Sequence, residues 1–229
     1  MIKYLRDFFL EYVEYFRISR LSEIRQDIVK LKERLTEKEL KTAENYKNGK
    51  RFLEYIGGRA LLKESIIELF KKEYSIDLNY RDITTIHNQN KKPHLKIRST
   101  RPPPYFSISH SQEYLFCAAD TRAPVGVDVE KVNHRFLELK KEYTSGGDIE
   151  KINEISVDEH NKLLNYTKLW SSKEALVKLL ESNIFNIFVN SELIDTKNDD
   201  FILSYKKNEI YVAHNIIFDN HSFSLMTGK

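Results

Sequence analysis

The chain of 229 residues is long enough to bury one large core or two small ones. Hydrophobic residues make up 41% and charged residues 31%, and no apolar run approaches the roughly 20 residues of a membrane span. Its single cysteine, Cys117, excludes an internal disulfide framework. With no apolar signal core near Met1 to Arg20, the simplest expected compartment is the cytoplasm, with no membrane partner.

The formal net charge of +3 hides an asymmetry: residues 1–124 hold 24 Lys+Arg against 17 Asp+Glu, and residues 125–229 hold 13 against 17. A basic half and an acidic half suit a ligand that carries phosphates and a bound cation. The lysines are scattered and no zinc-finger or RNA-binding signature occurs, so nucleic acid is not an expected partner.

In chain order, residues from Leu5 to Leu35 read as helical and as an extension packed on the rest of the chain. Thr36-Glu-Lys-Glu39 has the form of a capping box and starts a new helix, whose Lys38 and Lys41 share a face; taken alone they read as solvated surface lysines. A helix from Lys50 to Lys72 is interrupted by Gly57-Gly58, where either the helix breaks or a neighbour packs closely. Asn79 to Asn90 is polar and turn-like, and Arg101-Pro-Pro-Pro104 is a stiff extended lead-in. Tyr105 to His110 and Tyr114 to Ala119 form a predicted hairpin.

Val125-Gly-Val-Asp-Val-Glu130 alternates apolar and acidic residues. As a strand it places Asp128 and Glu130 on one face, roughly 7 Å apart at about 3.3 Å per residue. Such neighbours repel unless a cation lies between them, and magnesium is the economical choice for one or two carboxylates plus phosphates; a solvated strand face is the competing reading. Residues 131–165 read as helices with a loop at Ser145-Gly-Gly147, and Leu169 to Glu181 as an amphipathic helix. Its Leu169, Ala175, Leu176, Leu179 and Leu180 share one face, and Trp170, Glu174, Lys178 and Glu181 the other. Beyond Asn183 the pattern predicts strands with polar turns.

Three stretches taken together, Phe106-Ser-Ile-Ser-His-Ser111, Val125-Gly-Val-Asp-Val-Glu130 and Trp170-Ser-Ser-Lys-Glu-Ala-Leu-Val-Lys178, resemble the signature motifs of the 4′-phosphopantetheinyl transferases, of the larger monomeric surfactin-synthetase-activator type. The resemblance spans roughly residues 35 to 226. It implies an α+β fold of two similar α/β subdomains related by a pseudo-twofold, with coenzyme A and Mg2+ in the cleft between them. The domains expected are a helical extension over 1–34, a first subdomain over 35–124 carrying the coenzyme A phosphate contacts, and a second over 125–229 carrying the metal and catalytic residues.

Carried over by motif, Asp128, Glu130 and Glu174 are the implied metal set. Ser109 and His110 are implied contacts to a coenzyme A phosphate, Lys178 to the pyrophosphate with Lys173 assisting, Lys92 to the nucleotide end, and Lys38 and Lys41 to the 3′-phosphate. Glu174, Lys178 and His110 are the implied catalytic residues. The reaction implied is transfer of the phosphopantetheine arm to a serine of an acyl or peptidyl carrier protein, with release of adenosine 3′,5′-bisphosphate. A coenzyme A or carrier-protein binder without catalysis is the alternative. Two departures stand out: Lys91 occupies the position where the family usually has glycine, and Glu181-Ser-Asn-Ile-Phe-Asn186 replaces a glycine-containing loop.

Overall fold

A computed structural model describes residues 2–87 and 93–228. The chain divides into two compact units, one of Val13–Arg122 and one joining Met1–Tyr12 to Ala123–Lys229. The segment 1–34 is therefore not one extension. Its first helix, α1 (Ile2–Phe9), buries Leu5 and Phe9 in the unit containing the C-terminus. There Tyr12 stacks on His214, with ring centroids 3.5 Å apart.

In the Val13–Arg122 unit, the expected long helix gives way to a strand, β1 (Tyr15–Arg20), and two short helices, α2 (Leu21–Gln26) and α3 (Ile28–Glu33). Helix α4 (Glu37–Glu44) starts at the predicted capping box, where the Thr36 hydroxyl accepts from Glu39 N. Helix α5 (Gly49–Tyr74) runs unbroken through Gly57-Gly58. A Cβ on Gly57 would meet Leu115 Cδ1 at 2.5 Å and Ile24 at 2.9 Å, so the glycine permits close packing and breaks nothing. The polar stretch after Asn79 contains a strand, β2 (Ile83–His87), paired with β3 (Pro93–Ile97). The predicted hairpin is β4 (Tyr105–Ser111) and β5 (Tyr114–Asp120). With β1 it makes an antiparallel sheet in the order β1-β5-β4, on which α5 packs.

The other unit opens with β6 (Val125–Lys131). Helices α6 (Arg135–Glu138), α7 (Lys140–Tyr143), α8 (Gly146–Ile155) and α9 (Glu159–Leu179) come next. The segment after α9, expected as strand, is a short helix, α10 (Ile184–Asn190), because Asn183 caps it by accepting from Asn186 N at 2.8 Å. Strands β7 (Ser191–Lys197), β8 (Asp200–Tyr205), β9 (Glu209–Phe218) and β10 (His221–Thr227) complete an antiparallel sheet in the order β6-β10-β9-β8-β7.

Each unit thus lays one long helix on an antiparallel sheet, a mixed helix and sheet fold. Among the described residues no helix is long and apolar enough to cross a membrane.

Candidate active site

Strand β6 is buried on both faces, and the pairing shows what covers each. Asp128 lies opposite Ser224 and Glu130 opposite Ser222 on β10; directly paired residues point to the same side of a sheet. Ser171 of α9 contacts Ser222 at 2.8 Å and Ser224 at 2.6 Å. The acidic face of β6 is therefore the one beneath α9.

Gly126, on that face, lets the helix approach. A Cβ there would sit 2.9 Å from Leu179 N, 3.0 Å from Ala175 C and closer still to Ala175 O. No glycine among the described residues has a positive φ, so this one is required by space and not by backbone conformation.

The helix meets the strand with its charged residues. Lys178 Nζ donates to Asp128 Oδ1 at 2.8 Å and to Val127 O at 3.0 Å. Asp128 is 3% exposed. Glu130 pairs with Arg135 Nη2 at 2.9 Å.

Glu130 is pushed up to about 7 by burial and by the neighbouring Asp128 and Glu174, against the pull of Arg135 and Lys178. Glu174 is raised as well, by burial and by Asp128, with Lys178 opposing. Trp170, one turn before Glu174, packs against Tyr143, Phe188 and Phe136 at 5.0, 5.3 and 5.4 Å. That aromatic cluster packs Trp170 against the core of the unit.

Glu130 and Glu174 resist ionising beside Asp128, which is the electrostatic condition a divalent cation relieves. Among the described residues no group of three His, Cys, Asp or Glu side chains is placed to hold a metal ion by itself. Arg135 and Lys178 take up part of the negative charge. The donor set still fits magnesium, which typically takes one or two protein carboxylates and completes its octahedron with water and phosphate oxygens.

Lys173 requires a correction. It is fully buried, and its three donors are used by Asp148 Oδ2 at 2.7 Å, Tyr143 O at 2.9 Å and Ser191 O at 3.0 Å. It joins α9 to α8 and β7 and has no donor left for pyrophosphate.

The remaining predicted residues lie in the Val13–Arg122 unit. Ser109 and His110 are neighbours on β4 and so face opposite sides. Ser109 is 5% exposed. His110 shares its side with Ile108, against which Gly58 of α5 packs, and it approaches Arg51 and Glu54 of α5. Lys38 and Lys41 are exposed on α4. Lys91 and Lys92 fall outside the described residues.

The sequence reading did not single out Arg135, Asp148, Arg51 or Glu54. Only Asp148 carried a local signal, as the last residue of the S-x-x-D capping box begun by Ser145.

Residues 124–223 match the family model of the 4′-phosphopantetheinyl transferase superfamily. The 4′-phosphopantetheinyl transferase Sfp of Bacillus subtilis (strain 168) is 28% identical over 121 residues, covering 52% of this chain and 50% of that protein. A second 4′-phosphopantetheinyl transferase of Bacillus subtilis is 28% identical over 122 residues, covering 48% and 53%. The chain thus spans about half the length of these two curated relatives. A holo-(acyl-carrier-protein) synthase of Petrotoga mobilis is 28% identical over 116 residues, 47% of this chain and 90% of that protein. A crystal structure of a holo-(acyl-carrier-protein) synthase from Bacillus anthracis str. Ames in complex with CoA (3′,5′-ADP) is 30% identical and covers 45% of this chain and 90% of that one, with a TM-score of 0.38.

Proposed function

We propose that this chain, whose residues 124–223 match the family model of the 4′-phosphopantetheinyl transferase superfamily, transfers the 4′-phosphopantetheine arm of coenzyme A to a serine of an acyl or peptidyl carrier protein. It does so as a magnesium-dependent monomer of the surfactin-synthetase-activator type. The observation that carries the reading is the acidic face of β6 lying under Glu174 and Lys178 of α9.

In the reaction the serine Oγ forms a bond to the β-phosphorus of coenzyme A. The bond from that phosphorus to the bridging oxygen breaks, and adenosine 3′,5′-bisphosphate leaves with the electron pair. Phosphoryl transfer of this kind depends mostly on positioning and charge neutralisation. Magnesium, held by carboxylates drawn from Asp128, Glu130 and Glu174 together with water and phosphate oxygens, would supply Lewis-acid stabilisation of the pyrophosphate.

Lys178 brings an ammonium to the leaving oxygen. Glu174, with its affinity for a proton raised by burial and by Asp128, accepts the serine proton directly or through water. Ser109 and His110, with Lys38 and Lys41 of the same unit, supply donors to the phosphates of the nucleotide end. Cys117 takes no part: it is buried, and burial pushes its thiol up to about 12. A reduced, buried cysteine fits the cytoplasm.

The test is the intact mass of a panel of apo carrier proteins incubated with this protein and coenzyme A, with magnesium or with chelator. A magnesium-dependent gain of about 340 Da, one arm, is the expected result. Coenzyme A binding without any gain across the panel would leave a binder in place of an enzyme. A Glu174→Gln protein that turns over at the wild-type rate would remove the proton-acceptor role while leaving the rest.

A further inference from the structure

Glu54 of α5 has no part in the proposed reaction, yet its setting is unusual. It is 5% exposed, and its Oε2 is buried with no hydrogen-bond partner among the described residues. A buried carboxylate is costly unless charge around it compensates. The surroundings are cationic. Arg51 Nη1 lies 3.4 Å and His110 Nδ1 3.6 Å from Oε2, and Lys50 Nζ lies 3.6 Å from Oε1.

Those separations exceed the usual hydrogen-bond length, so the carboxylate acts on these groups through its charge. Above it, Arg51 Nη1 and His110 Nε2 are 3.5 Å apart. Both side chains are exposed, by 59% and 38%. The guanidinium and the imidazole thus sit side by side at an exposed surface, each also within 3.6 Å of the buried Glu54 carboxylate below them.

We propose that Glu54 is a positioning residue which holds Arg51 and His110 together as one clamp for the 3′-phosphate monoester of coenzyme A. The inference rests on the proposed transfer activity. A phosphate monoester carries between one and two negative charges at neutral pH and takes several charge-assisted hydrogen bonds at once. A carboxylate behind His110 Nδ1 fixes the ring, so that Nε2 is presented on the side where Arg51 lies, as carboxylates orient histidines elsewhere. The remaining phosphates of coenzyme A are diesters with one charge each, and they offer less to a clamp of a guanidinium and an imidazole.

The experiment is calorimetric binding of adenosine 3′,5′-bisphosphate and of adenosine 5′-monophosphate to four proteins: wild type, Glu54→Gln, His110→Ala and the double variant. The wild type is expected to prefer the bisphosphate. Glu54→Gln is expected to reduce that preference about tenfold, the lower end for loss of an orienting partner, with monophosphate affinity unchanged. In the His110→Ala background it is expected to add nothing, because it acts through the same clamp.

A preference unchanged in Glu54→Gln, or losses that simply add, overturns the role of Glu54. A wild type indifferent to the 3′-phosphate overturns the clamp itself. Should Glu54→Gln fail to fold, Glu54→Asp keeps the charge and withdraws it by one methylene, and a wild-type preference there overturns the proposal equally. A protein that shows the full pattern yet modifies no carrier protein leaves the clamp standing and the transfer reading fallen.

Discussion

Replacing Gly126 by alanine tests whether the close approach of α9 to β6 builds the site. The added Cβ would sit 2.9 Å from Leu179 N and 3.0 Å from Ala175 C, closer still to Ala175 O, and all three are backbone atoms that no rotamer change can move. Carbon packs comfortably at about 3.5–4.0 Å, so the helix must lift by roughly 1 Å. Overpacking of this kind costs about 1–3 kcal/mol, and a backbone obstacle puts the expectation near the upper end, about 3 kcal/mol. With a slope of about 3 kcal/mol per molar urea, the unfolding midpoint falls by about 1 M.

Trp170, the chain's one tryptophan, lies in the same unit and reports the transition by its fluorescence. The same lift pulls Lys178 away from Asp128 and Val127 O, now 2.8 and 3.0 Å away. A 1 Å misplacement is worth about a hundredfold in rate, so transfer falls beyond what stability explains. Gly146→Ala is the matched control, because nothing lies within 4 Å of its Cβ and it opens α8 in the same unit. A Gly126→Ala protein with the wild-type midpoint and rate would refute the argument.

Two lysines five residues apart on α9 are expected to fail differently. Lys173→Met leaves Asp148 buried without its cation and lowers stability by about 3–5 kcal/mol, read as a shift of the Trp170 transition. Lys178→Met instead lowers the maximal transfer rate about a hundredfold, as for loss of a charge-stabilising donor; a Lys173→Met protein of wild-type stability would contradict the assignment.

Glu39 gives a pH test. Burial alone would raise its carboxyl, but Lys63 and the amides of Thr85 and Thr36 hold it below its ordinary 4.5. The stability it contributes is therefore complete above about 4.5 and lost as pH falls through the depressed folded value. The difference in urea midpoint between wild type and Glu39→Gln is expected to narrow below pH 4.5, and a difference constant down to pH 3 would exclude that linkage.

Much of the site was legible because its residues obey local periods. The period of two put Asp128 and Glu130 on one face, and the helical period put Glu174 and Lys178 together. Periodicity says which residues share a face and not what covers it; only the pairing of β6 with β10 shows that the acids lie under α9. Lys173 was misread for the same reason. A lysine counts as polar in any pattern, and its burial depends on Asp148, which a different helix delivers.

Strand β1 was lost inside a helical window because Tyr15-Phe-Arg-Ile-Ser-Arg20 gains its strand character from pairing with β5, far along the chain. Helix α10 was lost because Ile, Phe and Val favour strands, and its start rests on the Asn183 cap. No local signal marks Met1–Tyr12 as belonging with the C-terminal sheet, since a long-range return leaves nothing in neighbouring residues.

The two buried lysines also reveal a shared construction. In one unit Lys63 donates to Glu39 at 2.6 Å, Arg34 O at 3.0 Å and Tyr80 O at 3.1 Å, while the other oxygen of Glu39 accepts from Thr85 N at 2.8 Å. In the other, Lys173 donates to Asp148 and to two carbonyls, while the other oxygen of Asp148 accepts from Leu193 N at 2.6 Å. Each acid is the last residue of a capping box, begun by Thr36 and by Ser145. An ammonium has three donors and here meets three acceptors, so the buried charge is satisfied.

Each joint ties the long helix of its unit to a short helix cap and a strand. Buried ion pairs add little net stability over apolar packing, but they fix register, and in the C-terminal unit the register at stake belongs to Glu174, the residue after Lys173. An acid in a capping box followed 24 or 25 residues later by a lysine in a long helix is the repeat the sequence carried. It went unread because the two copies share chemistry and spacing while differing in nearly every other residue.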